Sequence, residues 1–367
     1  MDHFSLLING PFKIGICLAI VAYIITTLVV PLTRRLGFSL NAIDKPDFRK
    51  IHKVPLVRLG GVALYVALVS SLSLISFLIG PNKLDLLSPI STSSILICIT
   101  LFFLLGLLDD FYTISPFYRL IIQCGFALYA WSSGISITSL DLSILGVSHS
   151  PLILTSSVSM ILTLIWIVGL TNAVNWFDGM DGLLSGISSI ILVGIIMISF
   201  SLNNNVITYL AFSLLGCCLG FLLHNLSPTI IIMGDSGSFL LGSSISIFTI
   251  LGLSIDGQSL NIHSFLILLV PIFDMTFVIL NRLRKGRSPF YPDRSHLHHR
   301  LLNLGYTQTQ VLSIIFISSI FFVGISVNTF SISLYQLALF YVVIAFIVSI
   351  SRIVRVKLNS FSAHSSG

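Results

Sequence analysis

The sequence predicts an all-α, polytopic integral membrane bundle, and three observations carry that prediction. Of its 367 residues 55% are hydrophobic and only 9% charged, whereas soluble domains carry charge on about a quarter of theirs. The apolar residues gather in runs of roughly 20, the length at which a helix crosses a hydrocarbon core. The charged residues fall between those runs, almost all on what strict alternation makes one face.

The predicted spans, taken in order, are 11–33, 60–80, 90–108, 117–134, 151–171, 183–203, 205–223, 237–255, 262–281, 310–329 and 331–350, about eleven in all. An odd number puts the termini on opposite sides. All but Lys13 and Lys83 of the 19 Lys and Arg residues then share one side, so the N-terminus is expected outside and the C-terminus in the cytoplasm. The first run is too long for the core of a signal peptide and reads as a retained span. The 13 acidic residues are all Asp. Asp44, Asp47, Asp109, Asp110, Asp178, Asp181, Asp235, Asp274 and Asp293 fall on the cytoplasmic side, which places the chemistry there. The outer connection 135–150 alternates apolar and polar residues and predicts a small hairpin on the outer surface. Residues 1–351 form one transmembrane catalytic domain in this reading, and 352–367 a basic, Ser-rich tail. The cysteines at 17, 98, 124, 217 and 218 sit inside apolar runs without metal-type spacing and read as small core residues.

The stretch Asn172-Ala-Val-Asn175-Trp-Phe-Asp178-Gly-Met-Asp181-Gly182 puts two amides and two carboxylates between apolar runs. It is either an Asn/Asp/Gly connection between helices or a site for a cation or ligand. Asp109 and Asp110 end the third span, where a helix terminus is already partly negative, so a metal or a bound proton is expected to compensate them. Met233-Gly-Asp235-Ser-Gly-Ser238 opens the eighth span. It offers free N–H groups to a phosphate, or an ordinary cap at Ser236 or Ser238. Asp274 follows Pro271, a helix breaker, and either shapes the site or pairs with Arg282 or Asn281.

The loop from Arg282 to Arg300 carries His296, His298 and His299. Zinc is one reading, but Arg287, Arg294 and Arg300 would repel a dication and favour phosphate or sugar. The loop from Asp44 to Gly61 holds Lys45, Arg49, His52 and Arg58. The positive-inside bias explains much of its charge, and its prolines, mixed charges and Gly-Gly exit suggest a grip on an anion.

Aspartates, amides, a helix start and a basic His/Arg loop on one face suit a magnesium-dependent reaction between a nucleotide diphosphate and a lipid phosphate. No Walker loop or dinucleotide fingerprint is present, which disfavours an ATPase. A transporter would carry charges at mid-span and internal repeats. A metalloprotease would need His-Glu-x-x-His, and the chain contains no Glu.

In order along nearly the whole chain, the motifs Asp44-x-Pro-x-x-Arg-Lys-x-His52, Asp109-Asp110, Asn172 to Gly182, Met233 to Ser238 and Ser288-Pro-Phe-x-Pro-Asp-Arg-x-His-x-His-His299 resemble the polyprenyl-phosphate N-acetylhexosamine-1-phosphate transferases, glycosyltransferase family 4. The histidine run resembles the N-acetylglucosamine branch more than the phospho-MurNAc-pentapeptide branch. The resemblance implies transfer of a sugar 1-phosphate from a UDP-sugar to undecaprenyl phosphate, with UMP released. Another UDP-N-acetylhexosamine, such as a 6-deoxy sugar, is the runner-up donor. It implies Mg2+, with Mn2+ as a substitute, held by Asn175 and Asp235. Asp109 and Asp110 would position or deprotonate the lipid phosphate, and Asp178 would sit beside the metal. Asp181 would contact uracil. Asn172, Arg294, His296, His298 and His299 would bind substrate, with Lys45 and Arg49 near the nucleotide. The partners implied are the UDP-sugar, undecaprenyl phosphate and the bacterial inner membrane, with a homodimer left open and no nucleic acid. Direct attack is favoured over an aspartyl intermediate, because a lipid phosphate with a second pKa of about 6 is already largely a dianion.

Overall fold

Backbone polar groups find no water inside a bilayer, so each apolar run must close its hydrogen bonds as helix. The structure, a computed structural model, describes residues 10–44, 55–79, 92–141, 150–254, 258–291 and 293–329. Its helices are α1 (Pro11–Ser39), α2 (Gly60–Ile79), α3 (Thr92–Tyr112), α4 (Pro116–Ser132), α5 (Ser156–Trp176), α6 (Leu183–Ser201), α7 (Asn205–Asn225), α8 (Gly234–Gly252), α9 (Ile262–Ile267), α10 (Leu269–Arg284), α11 (Leu297–Asn303) and α12 (Gln308–Thr329). Among the described residues six helices are long and apolar enough to cross a membrane, namely α1, α3, α5, α6, α7 and α12. The chain is a multi-pass membrane protein. The last predicted span, 331–350, and the tail at 352–367 lie outside the described residues.

Two helix boundaries differ from the sequence reading. Helix α1 runs on to Ser39 through Pro31, six residues past the apolar run, because polar residues at a membrane surface can continue a helix that apolar ones began. The run at 262–281 is broken at Leu268 into α9 and α10. Pro271 then lies in the first turn of α10, where a missing N–H costs nothing.

Helix α8 is the hub. It packs on α2, α3, α5, α6 and α7, and nearly every residue from Gly234 to Gly252 is buried. Small residues allow that crowding: a Cβ at Gly61 of α2 would strike Gly237, and one at Gly106 of α3 would strike the Asp235 backbone. Close backbone approach through small residues is how helices gain contact in lipid, where burial of apolar surface drives little. On the far side of the bundle α1 turns Ile16, Ile20, Ile24, Leu28, Leu32 and Leu36 outward as a stripe, a lipid-facing pattern.

At the end of the bundle away from the Asp motifs, β3 (Ser139–Asp141) pairs antiparallel with β4 (Leu152–Ile153) and parallel with β5 (Ser259–Asn261). The hairpin expected over 135–150 therefore closes just beyond it and gains a third strand from a remote loop. Residues 142–149 of that connection lie outside the described residues. At the motif end, β1 (Ile43–Asp44) pairs antiparallel with β2 (Leu56–Val57). Val57 also bridges Ile231, the Gly60 N–H donates to Ile232 O at 3.1 Å and the Gly61 N–H to Met233 O at 2.8 Å. This short ladder holds Arg58 beside the start of α8.

Candidate active site

The first turn of α8 presents unpaired N–H groups, and two carboxylates take them. Asp110, at the end of α3, accepts the N–H of Asp235 at 2.8 Å and of Ser236 at 3.0 Å through its two oxygens. The Gly234 N–H reaches the Asp178 carboxylate. Gly234 has φ +74, and a Cβ there would strike the Arg58 carbonyl and both Asp110 oxygens, so only glycine suits the position. One of the two sequence readings left these N–H groups free for a phosphate, the other capped them with Ser236 or Ser238. They are not free: a carboxylate from a neighbouring helix answers the helix dipole first.

Arg58 holds the carboxylates together. Its Nη2 donates to Asp235 Oδ2 at 3.0 Å, its Nε lies 3.5 Å from Asp110 Oδ1, and its Nη1 lies 3.9 Å from Asp44. The compensation that the sequence reading assigned to a metal or proton at Asp109 and Asp110 is thus supplied in part by arginines. Burial would lower the Arg58 pKa, but Asp235, Asp110 and Asp44 overcome it and hold the guanidinium charged. Asp178, in the turn between α5 and α6, is pushed up to about 7 by burial and by the negative charge of Asp235.

Asn175 joins the same cluster. Its Nδ2 donates to Asp235 Oδ1 at 2.6 Å and to Ser238 Oγ at 2.8 Å, which ties the end of α5 to the first turn of α8. Asp109, although adjacent to Asp110 in sequence, is held differently. It accepts the Ile114 N–H at 2.6 Å and Arg119 Nη1 at 2.6 Å, so it closes the turn between α3 and α4. Asn172 is buried one helical turn deeper and donates to Gln123 Oε1 at 2.6 Å and Val168 O at 2.8 Å, a tie between α4 and α5. Asp181 is half-buried and repels Asp178.

The histidine loop folds against this cluster. Asp274 accepts His296 Nδ1 at 2.9 Å and the Leu297 N–H at 2.6 Å, and not Arg282 or Asn281 as the sequence allowed. Arg282 instead donates to Asp293 at 2.9 Å and to Pro289 O, and it lies over the Trp176 ring at 5.1 Å. His296 meets Trp176 edge-on at 5.7 Å and stacks with His298 at 5.9 Å. His298 packs directly on Gly179, where a Cβ would overlap its Nε2. Burial and the neighbouring His299 and His296 push the His298 pKa well below the ordinary histidine value. Among the described residues neither of its ring nitrogens has a hydrogen-bond partner. Burial and the charges of His296 and Arg294 also lower the pKa of His299. Burial alone would raise the carboxyl of Asp293, but Arg282 and Ser295 hold it down to about 2.

The structure therefore brings Asp110, Asn175, Asp178 and Asp235 around the start of α8, and His296, His298 and His299 beside them through Trp176 and Gly179. Lys45 and Arg49 lie outside the described residues. Sequence reasoning passed over Arg119 and Gln123 as site-building residues, and it read Arg58 as part of an anion grip and Arg282 as a possible partner of Asp274 without seeing the carboxylates they hold. The signal available was weak: Arg119 is a lone cation ten residues after Asp109, and Arg58 is separated from the Gly-Gly entry to α2 by Leu59 alone.

A model of glycosyl transferase family 4 matches residues 92–253. The chain is 32% identical over 362 residues, 95% of its length and 96% of the relative's, to a probable undecaprenyl-phosphate N-acetylglucosaminyl 1-phosphate transferase of Bacillus subtilis (strain 168). The chain belongs to glycosyl transferase family 4. Other members similar to it are a decaprenyl-phosphate N-acetylglucosaminephosphotransferase of Mycobacterium tuberculosis (strain ATCC 25618 / H37Rv), 31% identical over 83% of this chain and 78% of that one. An undecaprenyl-phosphate alpha-N-acetylglucosaminyl 1-phosphate transferase of Salmonella typhi is 28% identical over 83% and 81%. In this family-4 chain the matched segment holds Asp109, Asp110, Asn175, Asp178, Asp181 and Asp235, while Arg58 and the histidine loop reach the same cluster from outside it.

Proposed function

We propose that this protein transfers N-acetylglucosamine 1-phosphate from UDP-N-acetylglucosamine to undecaprenyl phosphate, releasing UMP and starting a lipid-linked envelope polysaccharide. The single observation that carries the reading is the convergence of Asp110, Asn175, Asp178 and Asp235 on the start of α8, at one end of a membrane bundle. A soluble donor and a lipid acceptor can meet only at such a surface. The names borne by its relatives in Bacillus, Mycobacterium and Salmonella support the same chemistry.

In this reading the bundle lies in the bacterial inner membrane with about eleven spans, the N-terminus outside, and the site on the cytoplasmic face. Asn175 and Asp235 are neighbours, the Asn175 NH2 group donating to Asp235 at 2.6 Å; with the amide turned over, its oxygen would stand beside the carboxylate, a small hard-oxygen set that would suit Mg2+, or Mn2+ in its place. Bound there, the cation would neutralise charge growing on the diphosphate during transfer. Arg58 keeps the carboxylates from repelling one another. Asp110 orients α8, and with it Asp235. Asp178, its pKa pushed up to about 7 by burial and Asp235, can in its protonated form donate a hydrogen bond to a phosphate oxygen. The histidine loop covers the donor sugar and diphosphate, and Asp181 lies on the nucleotide side. The dianionic acceptor attacks directly, with little need of a base.

Membranes holding the protein, incubated with undecaprenyl phosphate, magnesium and a panel of UDP-sugars, test this. The expected product is lipid-linked N-acetylglucosamine diphosphate, formed together with UMP. No lipid product from any UDP-sugar would overturn the proposal.

A further inference from the structure

Asp274 is 1% exposed and stands on α10, away from the carboxylates at the start of α8. A buried carboxylate needs partners, and this one has two that follow each other in sequence. Its Oδ2 takes the Nδ1 of His296 at 2.9 Å and its Oδ1 takes the Leu297 N–H at 2.6 Å. The first bond fixes which ring nitrogen of His296 carries the inward proton, and the second anchors the start of the segment that carries His298 and His299. The ring cannot turn freely about this bond, because Trp176 meets it edge-on at 5.7 Å and His298 stacks on it at 5.9 Å. With Nδ1–H directed at Asp274, Nε2 is the nitrogen left for a ligand and presents its lone pair there.

We propose that Asp274 is a positioning residue for the transfer reaction, acting through His296 to hold Nε2 as an acceptor toward the hydroxyl and amide groups of the donor sugar. This role rests on the proposed function. Asp274 itself touches neither substrate. Its carboxylate sets the tautomer and the direction of the imidazole, as the acid partner of a catalytic histidine does in unrelated enzymes. Orientation counts most when the donor reaches the geometry of transfer, so the contribution falls more on kcat than on the donor KM.

Asp274→Asn tests the role because Asn can still accept the Leu297 N–H, while its NH2 group cannot accept the Nδ1 proton and forces the opposite tautomer. The expected loss is about ten- to hundredfold in kcat, with the donor KM changed less than about threefold and the melting temperature in detergent retained. In a His296→Ala background, the same Asp274→Asn change should cost less than about twofold more, since its route of action is gone. Multiplicative losses in the double variant would overturn the proposal, and so would full activity or loss of fold in the single variant. Wild-type protein in the same assay separates the two readings. Absence of wild-type turnover overturns the functional reading together with this role, whereas normal wild-type turnover alongside an unimpaired Asp274→Asn variant overturns the role alone.

Discussion

Asp110 caps the helix that carries Asp235, accepting the Asp235 N–H at 2.8 Å and the next one at 3.0 Å. One carboxylate thus sets the position of another, across two helices 125 residues apart in sequence. Asp110→Ala should uncover two buried N–H groups and lower stability by about 1–3 kcal/mol, and it should also abolish transfer. Asp110→Asn keeps an acceptor and should melt closer to wild type while remaining strongly impaired. Thermal melts in detergent beside turnover check the pair. Equal melting of Ala and wild-type proteins would dismiss the cap.

Arg58 bridges Asp44, Asp110 and Asp235 with three different nitrogens. Arg58→Lys supplies the charge without the planar fork and should lose most of the activity. Arg58→Ala should cost about 1–3 kcal/mol, less than a fully buried pair because the side chain is 24% exposed. Wild-type turnover in Arg58→Lys would show that charge alone suffices.

Gly179 lies under His298, with no room for a Cβ between them. Gly179→Ala should push the histidine loop off the 172–182 turn, at a cost of about 1–3 kcal/mol, and raise the KM for the UDP-sugar. The comparison of KM with that of Gly286→Ala, where the glycine has nothing near it but φ +66, isolates the contact from backbone effects. A similar KM in both would argue against loop docking through His298.

The pH dependence of stability carries a definite sign at His298. Its folded pKa lies well below the ordinary 6.5, so the unfolded chain takes up a proton first as the pH falls. The stability due to the neutral ring is complete above about 6.5 and declines progressively below it. Melting temperature should therefore drop between about pH 7 and about pH 5, and drop less in His298→Gln. Parallel melting curves in the two proteins across that range would remove His298 as the cause.

Some of the fold was legible because lipid imposes it. Runs such as 183–203 and 205–223 could only be helix, and they are α6 and α7. The break before Pro271 was signalled by the proline itself. The third strand, β5, was not legible, because its parallel pairing with β3 joins residues 120 positions apart. In the site, the density of Asp, Asn and Gly at 172–182 and 233–238 marked both motifs. It could not separate Asn175, which bonds Asp235, from Asn172, which bonds Gln123. The two amides lie on the same helix one turn apart and differ in depth and in what packs there.

The sequence alone determined that this is a membrane bundle with its acid and base chemistry gathered at one end, because hydropathy and charge placement act locally and need no partner to be read. Only the tertiary structure decided that Asp110 holds α8 while Asp109 holds Arg119, that Arg58 rather than a neighbour in sequence answers Asp235, and that Asp274 faces His296. Carboxylates find partners by distance and direction in space, and in a bundle those are set by which helices can approach closely through their glycines.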